Sequence, residues 1–132
     1  MKLVSLRIIT VDIKRLVEFF EKATGVPAQW STEDFAEVVT SSCTLAIGST
    51  RTLALFGGNV AEPSNNKSVI IEFLVKNVDE EYERIKNLTH DIVQKPTTMP
   101  RGNRSLLFRD PDGNLINFFT PVSPEAIKKF SV

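Results

Sequence analysis

Apolar residues recur along the chain with two spacings, one that suits a strand and one that suits a helix. "LVSLRIITV" (3–11) is rich in β-branched and other apolar residues and predicts a strand. In "IKRLVEFFEKAT" the residues Ile13, Leu16, Phe19, Phe20 and Ala23 fall on one helical face. Asp12 is placed to cap that helix, Gly25 to stop it, and Pro27 lies just beyond. "FAEVVTS", "TLAIGS" and "RTLALFG" predict three extended segments, separated by short turns containing Ser-Ser and Gly-Ser-Thr. "NVAEPSNNK" (59–67) is polar, with proline and asparagines, and reads as a linker.

After the linker the pattern starts again. "SVIIEFLV" predicts a strand, and Asn77 with Glu80 forms a capping box for "VDEEYERIKNL". "DIVQKP", the loop "TTMPRGN" and "LLFRDPDGNLINFF" (106–119) complete the second half. The last stretch folds back on itself at Asp110-Pro111-Asp112-Gly113, where proline presets φ, aspartate bonds its own backbone and glycine accepts φ > 0. A closing helix, "PEAIKKF", starts from Ser123 with Pro124 at its first position. Strand, helix and three strands therefore occur twice. The expected architecture is one α+β domain over 1–132, with module 1 at 1–58, a linker at 59–67, module 2 at 67–122 and a C-terminal helix at 123–131.

Composition narrows the function classes. With 42% hydrophobic and 24% charged residues, the chain is ordinary for a globular domain. Its formal net charge is zero and no basic block occurs, so no nucleic-acid partner is expected. No apolar run approaches the roughly 18 residues of a membrane span. The N-terminus acquires charges early, unlike a signal peptide, and the single cysteine, Cys43, has no intrachain partner; the cytoplasm is the expected compartment. Cys43 reads as a small apolar strand residue without a base beside it.

The doubled βαβββ plan, "ITVDIKRLVEFFEKATG" near the start and "LLFRDPDGNLINFF" near the end resemble the vicinal oxygen chelate superfamily, which includes glyoxalase I, extradiol dioxygenases and the bleomycin and fosfomycin resistance proteins. The resemblance covers about 1–122. It implies two βαβββ modules forming an open, curved mixed sheet with a concave pocket, often in a homodimer. It also implies a divalent metal held by His, Gln or Glu side chains on the concave strands, because such a cation needs imidazole nitrogens or carboxylate oxygens converging at about 2.0–2.2 Å. Carried over place by place, the ligand positions fall on Ser5 in the first strand, Ala54 in "RTLALFG", Ile70 in "SVIIEFLV" and Asn117 in the last strand. Asn117 thus stands where a carboxylate is expected, and an amide is a poor anionic ligand. The only histidine, His90, falls in the turn "NLTHDI" and reads as solvated. No metal and no other cofactor is expected.

Period-two alternation then predicts the lining of the concave face. Arg7 and Ile9 accompany Ser5, Glu72 accompanies Ile70, Leu115 and Phe119 accompany Asn117 with Leu106 opposite, and Thr52 and Phe56 accompany Ala54. This is an apolar wall with Ser5, Arg7, Glu72 and Asn117 as polar points, the usual make-up of a small-molecule pocket. Arg7 and Glu72 each interrupt an apolar strand, where an unpaired charge is costly, and they hold corresponding places in the two modules. They read either as a structural ion pair, as two exposed edge residues, or as a polar anchor for a ligand. Trp30, Phe35 and Phe56 are candidates for stacking a planar ligand or for plugging the core rim, and Arg101 for meeting an anion or for solvent. The leading expectation is a metal-independent protein that binds a small molecule, such as an antibiotic or toxic metabolite, as a homodimer. The alternative is a divergent lyase, isomerase or dioxygenase that uses Glu72 as acid/base or a non-standard metal site.

Overall fold

In the computed structural model, which describes residues 1–131, contacts divide the chain into two units. The first comprises Met1–Asn66 with Pro111–Gly113, and the second Lys67–Asp110 with the residues from Asn114 onward. The first unit runs β1 (Ser5–Thr10), α1 (Ile13–Thr24), β2 (Gln29–Thr32), β3 (Phe35–Val39), β4 (Thr44–Ser49) and a 3₁₀ helix (Thr50–Phe56). The second runs β5 (Ile70–Leu74), α2 (Val78–Ile85), β6 (Ile92–Thr98), β7 (Asn103–Arg109), β8 (Leu115–Pro121) and α3 (Pro124–Phe130). Each holds a four-stranded mixed sheet that is not closed, in the orders β1-β4-β3-β2 and β5-β8-β7-β6. The two orders are the same permutation. First and last strands of each module pair in parallel, and the remaining pairs are antiparallel.

Local chemistry explains the helices. Asp12 caps α1 by accepting from the Arg15 amide at 3.2 Å, and Gly25 ends it at φ 72°. Ile13, Leu16, Val17, Phe19, Phe20 and Ala23 are buried, and so are Ala36, Val38, Leu45 and Ile47 of the sheet beside them. Asn77 caps α2 by accepting from the amides of Asp79 and Glu80. That helix ends at Ile85, before the predicted Leu88, where the Leu88 and Thr89 amides turn back to the Ile85 carbonyl. Its core partners are Leu106, Phe108, Ile116 and Phe118, with Phe108 and Phe118 edge to face at 5.0 Å.

Two expectations are corrected in the first unit. "RTLALFG" is not a strand: both edges of β4 are already taken by β1 and β3, so the sheet has no slot for it there. The chain instead turns into the 3₁₀ helix, with the Ser49 hydroxyl accepting from the Arg51 amide and Gly57 closing it at φ 89°. Only Leu53 of this segment is buried. The missing strand is "QWST", β2, an edge strand exposed at every position, so burial imposed no alternation on its sequence.

The last hairpin follows its turn chemistry. Asp110 and Asn114 are both 4% exposed; the Asp110 carboxylate accepts from the Asn114 amide at 2.9 Å and from its Nδ2 at 2.7 Å. Gly113 takes φ 86°. Gly102 has a second constraint. At φ 92°, an added Cβ would lie 1.9 Å from Oγ of Ser123, the hydroxyl that caps α3. Gly102→Ala is expected to lose about 2–4 kcal/mol, through backbone strain and displacement of the α3 cap. Gly113→Ala, with open space around its Cβ position, is expected to lose only about 1 kcal/mol. Urea denaturation of the two variants measures the difference, and equal losses would show that the Ser123 contact is unimportant.

Candidate functional site

Residues directly opposite one another in neighbouring strands share a face of the sheet. In the first unit Arg7 pairs with Ala46, Ala46 with Glu37 and Glu37 with Gln29, making one row across all four strands. The buried residues Ala36, Val38, Leu45 and Ile47 alternate with this row and belong to the α1 face. The row therefore lies on the face turned away from α1. Arg7 is exposed, and its guanidinium carbon sits 4.9 Å from the Phe35 ring centroid and 5.7 Å from that of Phe56. Such contacts contribute about 0.5–1 kcal/mol at exposed positions.

Phe56 reaches Arg7 because the 3₁₀ helix is anchored at its start. Asp34 accepts from Nε of Arg51 at 2.7 Å and from Oγ of Ser49 at 2.7 Å, and the Ser49 amide donates to the Asp34 carbonyl at 2.9 Å. The hydrogen bonds from Arg51, then from Ser49, hold the Asp34 carboxyl below its ordinary value of 3.8. Farther along, Thr52 lies against Gly48, where a Cβ would be 2.9 Å from the threonine Oγ1.

The second unit has a matching row: Glu72 pairs with Asn117 and Asn117 with Leu107, which pairs with Gln94. Glu72 is exposed, and its carboxylate accepts from Nδ2 of Asn117 at 2.8 Å. Asn117 itself is 8% exposed, and its Oδ1 is buried with no hydrogen-bond partner. Ile70 and Leu115 flank it on one side, Leu74 and Phe119 on the other. Phe130 of α3 meets Phe119 edge-on at 5.1 Å. An open groove of about 420 Å³ lies at that end, lined by Leu74, Val75, Lys76, Thr120, Ile127 and Phe130, none of which the sequence had singled out.

Several sequence expectations change place. Ala54 is on the 3₁₀ helix, not on a sheet strand, so period-two alternation with Thr52 and Phe56 does not apply there. The position in β4 that corresponds to Asn117 in β8 is Ala46: each is the third residue of its strand and opposes the third residue of the parallel neighbour. Leu106 is fully buried and pairs with Phe118; Leu107 is the residue opposite Asn117. Counting outward from the Asp110–Asn114 turn would have found it. Trp30 opposes Ala36 and so shares the α1 face, away from Arg7. Ser5 heads β1 opposite Thr44, two residues before Arg7 on the same face. Arg7 and Glu72 are both exposed, so the heavy desolvation assumed for each does not arise; rings in one unit and an amide in the other are what they meet. His90 and Arg101 are exposed, and Cys43 is half-buried.

Within the first unit the places at issue hold a hydroxyl (Ser5) and a methyl (Ala46), and within the second an isoleucine (Ile70) and an amide (Asn117), with neither imidazole nor carboxylate at any of them. Among the described residues no group of three or more His, Cys, Asp or Glu side chains is arranged to hold a metal. No helix of the described residues is long and apolar enough to cross a membrane. For acid–base work Glu72 has, among the described residues, the Asn117 amide as its one hydrogen-bond partner.

Comparison with known proteins gives a consistent picture. A family model described as Glyoxalase/Bleomycin resistance protein/Dioxygenase superfamily matches residues 2–118. The uncharacterized protein YraH of Bacillus subtilis (strain 168) is 27% identical over 125 residues, 90% of this chain and 98% of that one. A glyoxalase/bleomycin resistance protein/dioxygenase family enzyme from Burkholderia phytofirmans PsJN superposes with a TM-score of 0.82 at 15% identity, covering 92% of this chain and 100% of that one. A glyoxalase/bleomycin resistance protein/dioxygenase from Nocardioides gives 0.76 at 19% identity, covering 94% and 85%. At these identities the solved structures speak for the fold alone.

Two outcomes test this geometry. Asn117→Asp places two carboxylates at the 2.8 Å contact, and their repulsion is expected to cost about 1 kcal/mol at neutral pH and little in acid, where one of them is protonated. Denaturation at both pH values decides it; an equal effect in acid would rule out charge as the cause. Asp34, being depressed, contributes stability that is present above its ordinary pKa of 3.8 and is lost as pH falls through the lower folded value. Arg51→Ala is expected to move the Asp34 carboxyl midpoint up toward 3.8, read by NMR titration; an unmoved midpoint would remove Arg51 as the cause.

Proposed function

Because the chain belongs to the glyoxalase/bleomycin resistance protein/dioxygenase superfamily, and no group of three or more His, Cys, Asp or Glu side chains among the described residues is arranged to hold a metal, we propose that it is a metal-independent small-molecule-binding protein. The observation that carries this reading is Asn117. A buried amide oxygen without a partner is costly unless something supplies a hydrogen-bond donor, and this one stands where the resemblance puts a metal-binding carboxylate. Around it are Ile70, Leu107, Leu115 and Phe119, an apolar wall with one oriented polar group. Binding in such a place needs affinity and no chemistry. Planar antibiotics and toxic metabolites are the compounds to screen first, and a homodimer of the 14.8 kDa chain is part of the proposal.

The test joins metal analysis to a ligand screen. Protein purified without chelators is expected to carry no stoichiometric zinc, iron, nickel or manganese. A ligand at about 100 times its Kd is expected to add roughly 2.7 kcal/mol to unfolding stability. Asn117→Leu should abolish that gain while leaving the unliganded chain folded. Stoichiometric metal with turnover would overturn the proposal, and sedimentation equilibrium reads the dimer separately.

A further inference from the structure

We propose that the face of the first sheet turned away from α1 is an anion site, where Arg7 receives a carboxylate or phosphate group carried by a small ligand with an apolar body. This narrows the small-molecule reading above and rests on it. Charge pairing is the starting point. Arg15 is paired with Asp112, Arg51 with Asp34, Arg84 with Glu81 and Arg104 with Asp79. Arg7 differs: among the described residues its guanidinium has no carboxylate and no hydrogen-bond acceptor, only the rings of Phe35 and Phe56. Ring contacts limit where the guanidinium can go but give its N–H donors nothing to bind.

A planar cation held in place with free N–H groups suits bidentate recognition of a carboxylate or phosphate, and little side-chain freedom is then lost on binding. The surroundings fit an anion with an apolar body. Phe56 is 58% exposed, and Ile9 follows Arg7 on the same face. The neighbour of Arg7 in β4 is Ala46, whose methyl leaves the guanidinium uncrowded. Glu37 is the nearest carboxylate in the row, across Ala46 and two strand spacings away, roughly 10 Å between Cα atoms. It makes no ion pair with Arg7 and would oppose an anion weakly, so Glu37→Gln is expected to tighten binding.

The experiment uses the full chain and three probes: benzoate, phenyl phosphate and the uncharged benzamide. Calorimetry gives affinities, and the Arg7 Nε–H resonance gives the contact. Benzoate or phenyl phosphate is expected to bind about tenfold or more tightly than benzamide and to shift the Arg7 resonance; the tighter of the two identifies the preferred anion. Arg7→Ala should erase the preference for charge while the chain stays folded, with only the small drop in melting temperature that follows from losing its two ring contacts at an exposed edge-strand position. Phe56→Leu, which keeps Arg7 but removes one of the two rings that restrain its guanidinium, should weaken anion binding. Equal affinity for benzoate and benzamide, or unchanged benzoate affinity in Arg7→Ala, would overturn the anion site. Should neutral planar compounds bind and anions not, the anion site falls while the small-molecule reading stands; should nothing bind, both fall.

Discussion

Parallel pairing between the first and last strand of each module governs everything else. A parallel pair cannot be joined by a tight turn, so the chain must cross over, and a helix lies in each connection. The helix covers one face of its sheet with apolar side chains and leaves the other face without a helix from that crossover. In the same step the pairing sets residues far apart in sequence side by side. Arg7 comes to lie next to Ala46, and Glu72 next to Asn117. The polar points of the molecule are products of register.

The two modules share this frame but fill it differently. In one, the row carries a cation held by aromatic rings; in the other, a carboxylate that takes a hydrogen bond from an amide. Neither row offers the converging oxygens and imidazoles that a divalent ion requires. Fold membership gives the architecture and does not by itself say which chemistry, if any, a member performs. Among the described residues, the second row carries a buried amide oxygen without a hydrogen-bond partner, set among apolar residues, and the first a guanidinium without an ion pair beside an exposed phenylalanine.

The 3₁₀ helix after β4 shows how a small anchor shapes such a face. Asp34 gathers Arg51 and Ser49, which fixes the start of the segment, and the segment then delivers Phe56 to Arg7. A strand there would have sent Phe56 along the sheet. Its apolar residues are spaced as a strand would have them, yet the sheet has no open edge beside β4, and the hydroxyl of Ser49 offered the backbone another conformation.

Much was legible in the sequence by itself. Helix caps at Asp12, Asn77 and Ser123, the Asp110–Asn114 turn and the repeated element order follow from short-range chemistry, which acts within a few residues. The place of Asn117 in the last strand was also readable, because the turn beside it pins its register. Tertiary structure alone decided the rest. Edge strand β2 has no buried side to impose a pattern, and the 3₁₀ helix exists because a strand slot was missing. The correspondence of Ala46 with Asn117, and the seat of Arg7 between two rings, depend on which strands become neighbours. That is set by burial across the whole unit, and no local window of residues contains it.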